Sequence, residues 1–284
     1  MPTQRILNWL VPIIGGLAAV AALAGLWPAS GTPYPLTTFR GEQVMINARG
    51  LYYWDTVSSA AQMQANDAVM LALGVPLLAV SHALSRRGSL RARLLLAGTL
   101  GFILYTYLTM CVGAQYNPLF LVYTALFSLS LFALIIVISS FDLATLPSHF
   151  ADNLPHGPIA VLLFLTAAFL TVAWLGRIAA SFGPDAIPVL ENTTSMFIQA
   201  LDLAIIAPLG VLGGSLLLRR HAVGYLLTAI GLAKFLTLGT AVSLMAWNMA
   251  RVGVAISPAE LVIFPALTLA GMRMTAILLT HVKE

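Results

Sequence analysis

Residues 118–140 read PLFLVYTALFSLSLFALIIVISS, a run without a single charged side chain. A helix crosses the roughly 30 Å hydrocarbon core of a bilayer in about 20 residues. No water is available there to satisfy backbone N–H and C=O groups, so the crossing segment must satisfy its own, as a helix does. The run is therefore read as a transmembrane helix. Seven further stretches read the same way: 8–28, 66–84, 93–113, 158–180, 196–218, 222–248 and 259–281. The first could pass for a signal peptide. Its apolar run from Trp9 to Trp27 is longer than the usual signal core, and no clean A-x-A site follows, so a retained span is expected.

Composition points the same way. Of 284 residues, 60% are hydrophobic and 8% are charged, against roughly 25% charged in a soluble domain. So few charges cannot cover a water-exposed surface. Eight spans and their short loops nearly exhaust the chain, which leaves no soluble domain for separate chemistry. The expected fold is an all-α integral membrane protein of about eight transmembrane helices, with the lipid bilayer as its first partner. The net charge of +4 does not indicate nucleic acid, because the basic residues sit beside spans instead of forming a face. The one cysteine, Cys111, excludes an internal disulfide and any CxxC site. There is no Walker loop, HExxH or GxSxG, and no GxGxxG with a strand before it. The histidines His82, His149, His156, His221 and His281 stand at span ends or in loops, without i, i+4 pairs. No metal and no cofactor is expected.

Lys and Arg near span ends favour the cytoplasm. With the N-terminus inside, the inner side holds Arg5, Arg86, Arg87, Arg91, Arg93, Arg219, Arg220 and Lys283; the outer side holds Arg40, Arg49, Arg177 and Arg251. Both termini are then cytoplasmic, although the inner loop 141–157 carries no Lys or Arg. The longest outer segment is 29–65. Its centre, Thr37 to Ile46, mixes β-branched and polar residues at short period, and Gly50-Leu51-Tyr52-Tyr53-Trp54-Asp55 follows. This reads as an extended hairpin or ordered cap, serving either as an interfacial anchor or as a lid.

The chain also resembles itself. Gln64-Ala65-Asn66-Asp67 opens the second span and Gln199-Ala200-Leu201-Asp202 the sixth. Pro76-Leu77 matches Pro208-Leu209, and Arg86-Arg87 matches Arg219-Arg220. Asn117-Pro118 opens the fourth span and Ser257-Pro258 the eighth. The reading is two four-helix units, 1–145 and 146–284, in parallel orientation because each holds an even number of spans. Sites in such folds often lie between the repeats.

A charge inside a span is costly, roughly 2.5–3.5 kcal/mol on insertion scales, and marks function by default. The candidates are Asp67, Asp202, Lys234, Glu260 and Arg273. Asp67 and Glu260 are expected within about a turn of their helix starts, where the positive end of the helix dipole stabilises a carboxylate. Asp67 and Asp202, as repeat partners, could face each other. Lys234 and Arg273 fall roughly 20 Å below their helix starts at 1.5 Å per residue. Two cations at similar depth repel unless something negative lies between them. Asp202 could serve one, and a bound anion, such as a carboxylate or phosphate, would complete the balance. Gln64 and Gln199, with Tyr105, Tyr107, Gln115, Tyr116 and Tyr123, could line a cavity above it. The ligand-binding set is thus Asp202, Lys234, Arg273, Asp67, Gln64 and Gln199.

The stretch from Gly50-Leu51-Tyr52 through Arg87-Gly88-Ser89-Leu90 to Tyr116-Asn117-Pro118-Leu119-Phe120 resembles a group of bacterial multi-span membrane proteins with no assigned activity. The resemblance implies a membrane class and a bacterial inner-membrane location. Three readings of function stand together: binding or transport of a small anionic molecule or lipid between two halves; an accessory subunit with a membrane-protein partner; and a membrane-embedded enzyme, which would need reactive groups gathered at one depth.

Overall fold

The computed structural model describes residues 2–183 and 185–284. Among them are eight helices long and apolar enough to cross a membrane. We number these α1 (Pro2–Leu26), α2 (Val57–Arg86), α3 (Leu90–Gly113), α4 (Phe120–Ser139), α5 (His156–Ala179), α6 (Phe197–Leu218), α7 (Ala222–Arg251) and α8 (Pro258–Thr280). This is the architecture of an all-helical, multi-pass membrane protein. One end of the bundle, the terminal face, carries residues 281–284 and the 86–90, 140–155 and 219–221 connections. The other, the hairpin face, carries 27–56, 114–119, 180–183, 185–196 and 252–257.

The second helix starts nine residues before the sequence reading placed it. Thr56 caps it, its side chain accepting from the Ser59 N–H. Val57–Ala65 is polar on one side and alanine-rich on the other, and it packs against α7, where Asn248 Nδ2 donates to the Ala61 carbonyl at 2.7 Å. At 30 residues each, α2 and α7 run about 45 Å, longer than the hydrocarbon core, and their ends stand together under the cap. Asp67 therefore does not sit near a helix start. It is ten residues in, about 15 Å along the axis, and is 3% exposed.

Three helices contain a turn of π-helix: Met70–Gly74 in α2, Asp202–Ile206 in α6 and Phe235–Gly239 in α7. The first two end two residues before Pro76 and Pro208. Proline removes an N–H and crowds the carbonyl four residues back, and a widened turn relieves both. The third has no proline. It sits where α7 and α8 touch: Phe235 lies on Gly271, and a Cβ on Gly239 would come within 2.8 Å of Thr268 Oγ1.

The core lies along α3, where Leu94, Ala97, Leu100, Phe102 and Ile103 have no exposure. Helices α1–α4 form a ring of neighbours, α1 against α2 and α4, α3 against α2 and α4. Helices α5–α8 form another, α5 against α6 and α8, α7 against α6 and α8. The rings meet where α7 packs on α3 and α2, and where α3 meets the first turn of α6. The α3–α7 crossing is close because Gly98 lies against Ala233, with the position of its missing Cβ 3.2 Å from the Ile230 carbonyl. Small residues let backbones approach in this way.

The cap begins with an antiparallel pair, β1 (Tyr34–Thr37) and β2 (Gln43–Ile46), in the register Tyr34↔Ile46 to Thr37↔Gln43. Gly41 takes φ +86° in the connecting turn, a conformation open to glycine at little cost. The buried Asn47 side chain donates to the carbonyls of Arg49 and Tyr52, both at 2.9 Å, which fixes the 47–52 loop and turns Tyr52 inward. The 189–193 segment is stitched onto this cap. The Glu42 carboxylate accepts from the N–H groups of Leu190 and Glu191 at 2.8 and 3.3 Å. The Glu191 carboxylate accepts from Thr56 Oγ1 at 2.7 Å and Ser58 Oγ at 3.0 Å.

Candidate functional site

Tyr105 and Tyr107 stand two residues apart on α3, about 200° around the helix, so they face opposite ways. Tyr105 shares the face of Gly98 and Gly101, which carries α7. Its hydroxyl donates to Asp202 Oδ1 at 2.6 Å, while Trp174 Nε1 of α5 donates to Asp202 Oδ2 at 2.9 Å. The Lys234 ammonium, one residue beyond Ala233 in the crossing, lies 3.7 Å from the centre of the Tyr105 ring. A cation over an aromatic face is held by the ring quadrupole, more strongly when desolvated. Asp202 is 7% exposed, and both its oxygens accept from neutral donors. The sole salt bridge within 4.0 Å among the described residues is Arg91–Glu284, on the terminal face. Lys234 therefore has no carboxylate at that distance, and its ammonium donates no hydrogen bond to a described residue.

Tyr107 faces α1 and α4. Its hydroxyl donates to the Ala18 carbonyl at 3.3 Å, and its ring stacks on Tyr123 at 6.0 Å. Beside it, Tyr52 from the cap donates to Asp67 Oδ2 at 2.6 Å, a length typical of an O–H bond to a carboxylate. Gly25 of α1 makes room for this pair. A Cβ there would overlap Asp67 and come within 2.7 Å of the Tyr52 hydroxyl. At the mouth of this group, Asp55 Oδ1 accepts from the Gln115 N–H at 2.9 Å, while the buried Oδ2 has no hydrogen-bond partner. Burial raises the Asp55 carboxyl from 3.8 to about 7, against the opposing Gln115 hydrogen bond. The Tyr123 hydroxyl is also buried without a partner; it approaches Tyr52 and Asn117 outside hydrogen-bonding geometry.

Both groups hold a tyrosine-bonded carboxylate, but on opposite sides of α3. No family model, curated protein or solved structure matches the chain.

Of the residues singled out from sequence, the structure gathers Asp202 and Lys234 around Tyr105. It does not bring Asp67 to Asp202: each carboxylate has its own tyrosine. Their places relative to the π turns also differ, Asp67 three residues before one and Asp202 at the first residue of the other. Arg273 does not join the site. The buried stripe of α8 is Thr268, Gly271, Thr275 and Leu278; Arg273 lies on the opposite side, exposed, seven residues or about 10 Å from the helix end. Gln199 is buried and Gln64 half-buried. Glu260 falls in the first turn of α8 behind the Ser257 cap. Trp174 was not singled out from sequence, and Asp55 was noted there only as part of the cap. The bridging part played by Tyr105 carried one signal, a polar-tipped ring deep in an apolar helix, where a buried hydroxyl needs a partner. Two surface hollows, one of about 190 Å³ beside Glu42 and Glu191 and one of about 470 Å³ beside Trp27 and Leu51, lie at the hairpin end.

Proposed function

We propose that the protein binds a small anionic molecule or lipid at Lys234, between two four-helix halves, and carries it across the membrane. One observation supports this above the others. The Lys234 ammonium lies over the Tyr105 ring with no carboxylate of the described residues within 4.0 Å and donates no hydrogen bond to them, so it keeps its hydrogen-bonding capacity for another acceptor. A carboxylate or phosphate matches that need in charge and in lone pairs. The anion would sit where α3 and α7 cross, between halves 1–145 and 146–284. The repeated order of helix neighbours, and the π turns placed alike before Pro76 and Pro208, favour the two-half reading. π turns are frequent at functional sites in helices, and one beside Lys234 gives α7 a place to bend. The basic clusters Arg86–Arg93 and Arg219–Arg220 favour a cytoplasmic terminal face, in a bacterial inner membrane.

The test is native mass spectrometry of the purified protein, wild type beside Lys234→Ala and Arg273→Ala. A specific added mass is expected on wild type and Arg273→Ala, and lost in Lys234→Ala. No added mass, or one indifferent to Lys234, would sink the reading. A second reading, an accessory subunit of a membrane complex, draws on Arg273, whose charge lies within the span on an outward face. A photocrosslinker at position 273 in native membranes would capture a protein under that reading and lipid alone otherwise.

A further inference from the structure

We propose that Asp55, Tyr123, Tyr52 and Asp67 form a proton-binding relay entered from the hairpin face, separate from the Lys234 site. All four are 1–3% exposed, and they run from the cap to about 15 Å along α2. Two of their oxygens, Asp55 Oδ2 and Tyr123 Oη, are buried with no hydrogen-bond partner. Tyr123 lies within electrostatic reach of both carboxylates. Buried polar atoms are otherwise nearly always satisfied, so two orphans in one string indicate a group they exchange with. The string offers oxygen atoms only, and no Lys or Arg among the described residues lies within 4.0 Å of either carboxylate. A carboxylate taken out of water without a partner needs a proton or a cation. Tyrosine hydroxyls both accept and donate, which suits a proton: an ion would be held by them, a proton can be passed.

The balance closes without a further reactant. A proton delivered to Asp55 Oδ2 leaves water behind. The Tyr123 oxygen accepts it and gives its own hydrogen to Tyr52, each transfer directly or through a water, and Tyr52 gives its own along its hydrogen bond to Asp67. Each tyrosine ends neutral, and one proton has moved inward. The titratable groups facing Asp67 are Tyr52 from the cap, Tyr107 from α3 and Tyr123 from α4. From α1 the neighbour is Gly25, and that helix's one ionisable side chain, Arg5, is at its far end. From α7, Asn248 meets α2 at Ala61 and holds Arg251 Nε at 3.0 Å. Asp55 accepts from the Gln115 N–H, and Tyr123 lies within its electrostatic reach.

The experiment is pH-difference infrared spectroscopy of the protein in lipid nanodiscs, stepped through about pH 7, in sodium and in potassium salts. Wild type is expected to gain a protonated-carboxyl component on acidification that Asp55→Asn lacks. Asparagine keeps the oxygen that accepts from Gln115, so the cap is retained. Asp67→Asn identifies the Asp67 band. Deuterium exchange of that band is expected to slow several-fold in Tyr123→Phe, which removes only a hydroxyl without a partner, and to be unchanged in Tyr105→Phe on the other side of α3. Absence of the Asp55 component, or exchange at Asp67 indifferent to Tyr123→Phe, overturns the proposal. So do bands that follow the salt cation at constant pH, which would make this a metal-cation site. A loss of anion mass in Lys234→Ala does not bear on it, so the two readings fail separately.

Discussion

Gly25 and Asp55 show how single positions govern the polar interior. A side chain at 25 would have to push α1 off the Asp67–Tyr52 pair. Gly25→Leu is expected to destabilise the protein by about 1–3 kcal/mol, the usual range for overpacking, read as a lower thermal midpoint in nanodiscs. Asp55 gives a pH dependence. Its carboxyl is raised in the folded state, from 3.8 to about 7, so folding favours its protonated form. The stability it contributes is complete below about pH 4 and is lost as the pH rises through about 7. A shift of that size corresponds to at most ~4 kcal/mol at 1.36 kcal/mol per unit. Thermal unfolding of wild type should weaken across that window, and Asp55→Asn should flatten the profile. An unchanged profile in the variant would assign the pH dependence to other groups.

At the scale of elements, α2 and α3 carry the predictions. Thr56 caps α2 and also donates to Glu191. Thr56→Ala removes both, and the cap alone is worth roughly 0.5–2 kcal/mol. Amide hydrogen exchange should rise in the first turn of α2 and, because the bond to Glu191 is lost, in 189–193 as well. Exchange rising in α2 alone would show that the 189–193 segment holds by Glu42. At the α3–α7 crossing, Gly98→Val places atoms where Ala233 and the Ile230 carbonyl already are. The expected outcome is loss of folded yield well beyond that of Gly101→Ala, whose added Cβ would lie at an ordinary 3.7 Å from Ile230.

For the whole molecule, the outward Arg273 gives a prediction about what surrounds the bundle. An arginine within a span costs roughly 2.5–3.5 kcal/mol on insertion scales when nothing pairs with it. If lipid is its neighbour, Arg273→Leu raises the thermal midpoint of the isolated protein and leaves its behaviour in native membranes unchanged. If a protein is its neighbour, the same change stabilises the isolated chain but reduces the yield of the intact complex on native gels.

Residues 118–140 and their seven counterparts were legible from sequence because hydrophobic length is a local property: the bilayer demands it of each helix separately. The start of α2 was not, since Val57–Ala65 is polar enough to read as loop and is held helical by the Thr56 cap and by α7. Asp202 and Lys234 were legible as costly charges in apolar runs. Their meeting through Tyr105, the separation of Asp67 from Asp202, and the outward turn of Arg273 were not. Each depends on how a helix is rotated about its axis. That rotation is set by neighbouring helices, by close crossings such as Gly98 on Ala233, and by π turns that advance the chain about 100° out of the regular 3.6-residue period. The sequence alone determined that the chain is a multi-pass membrane protein with eight helices long and apolar enough to cross a membrane; only tertiary packing decided which of its intramembrane charges meet.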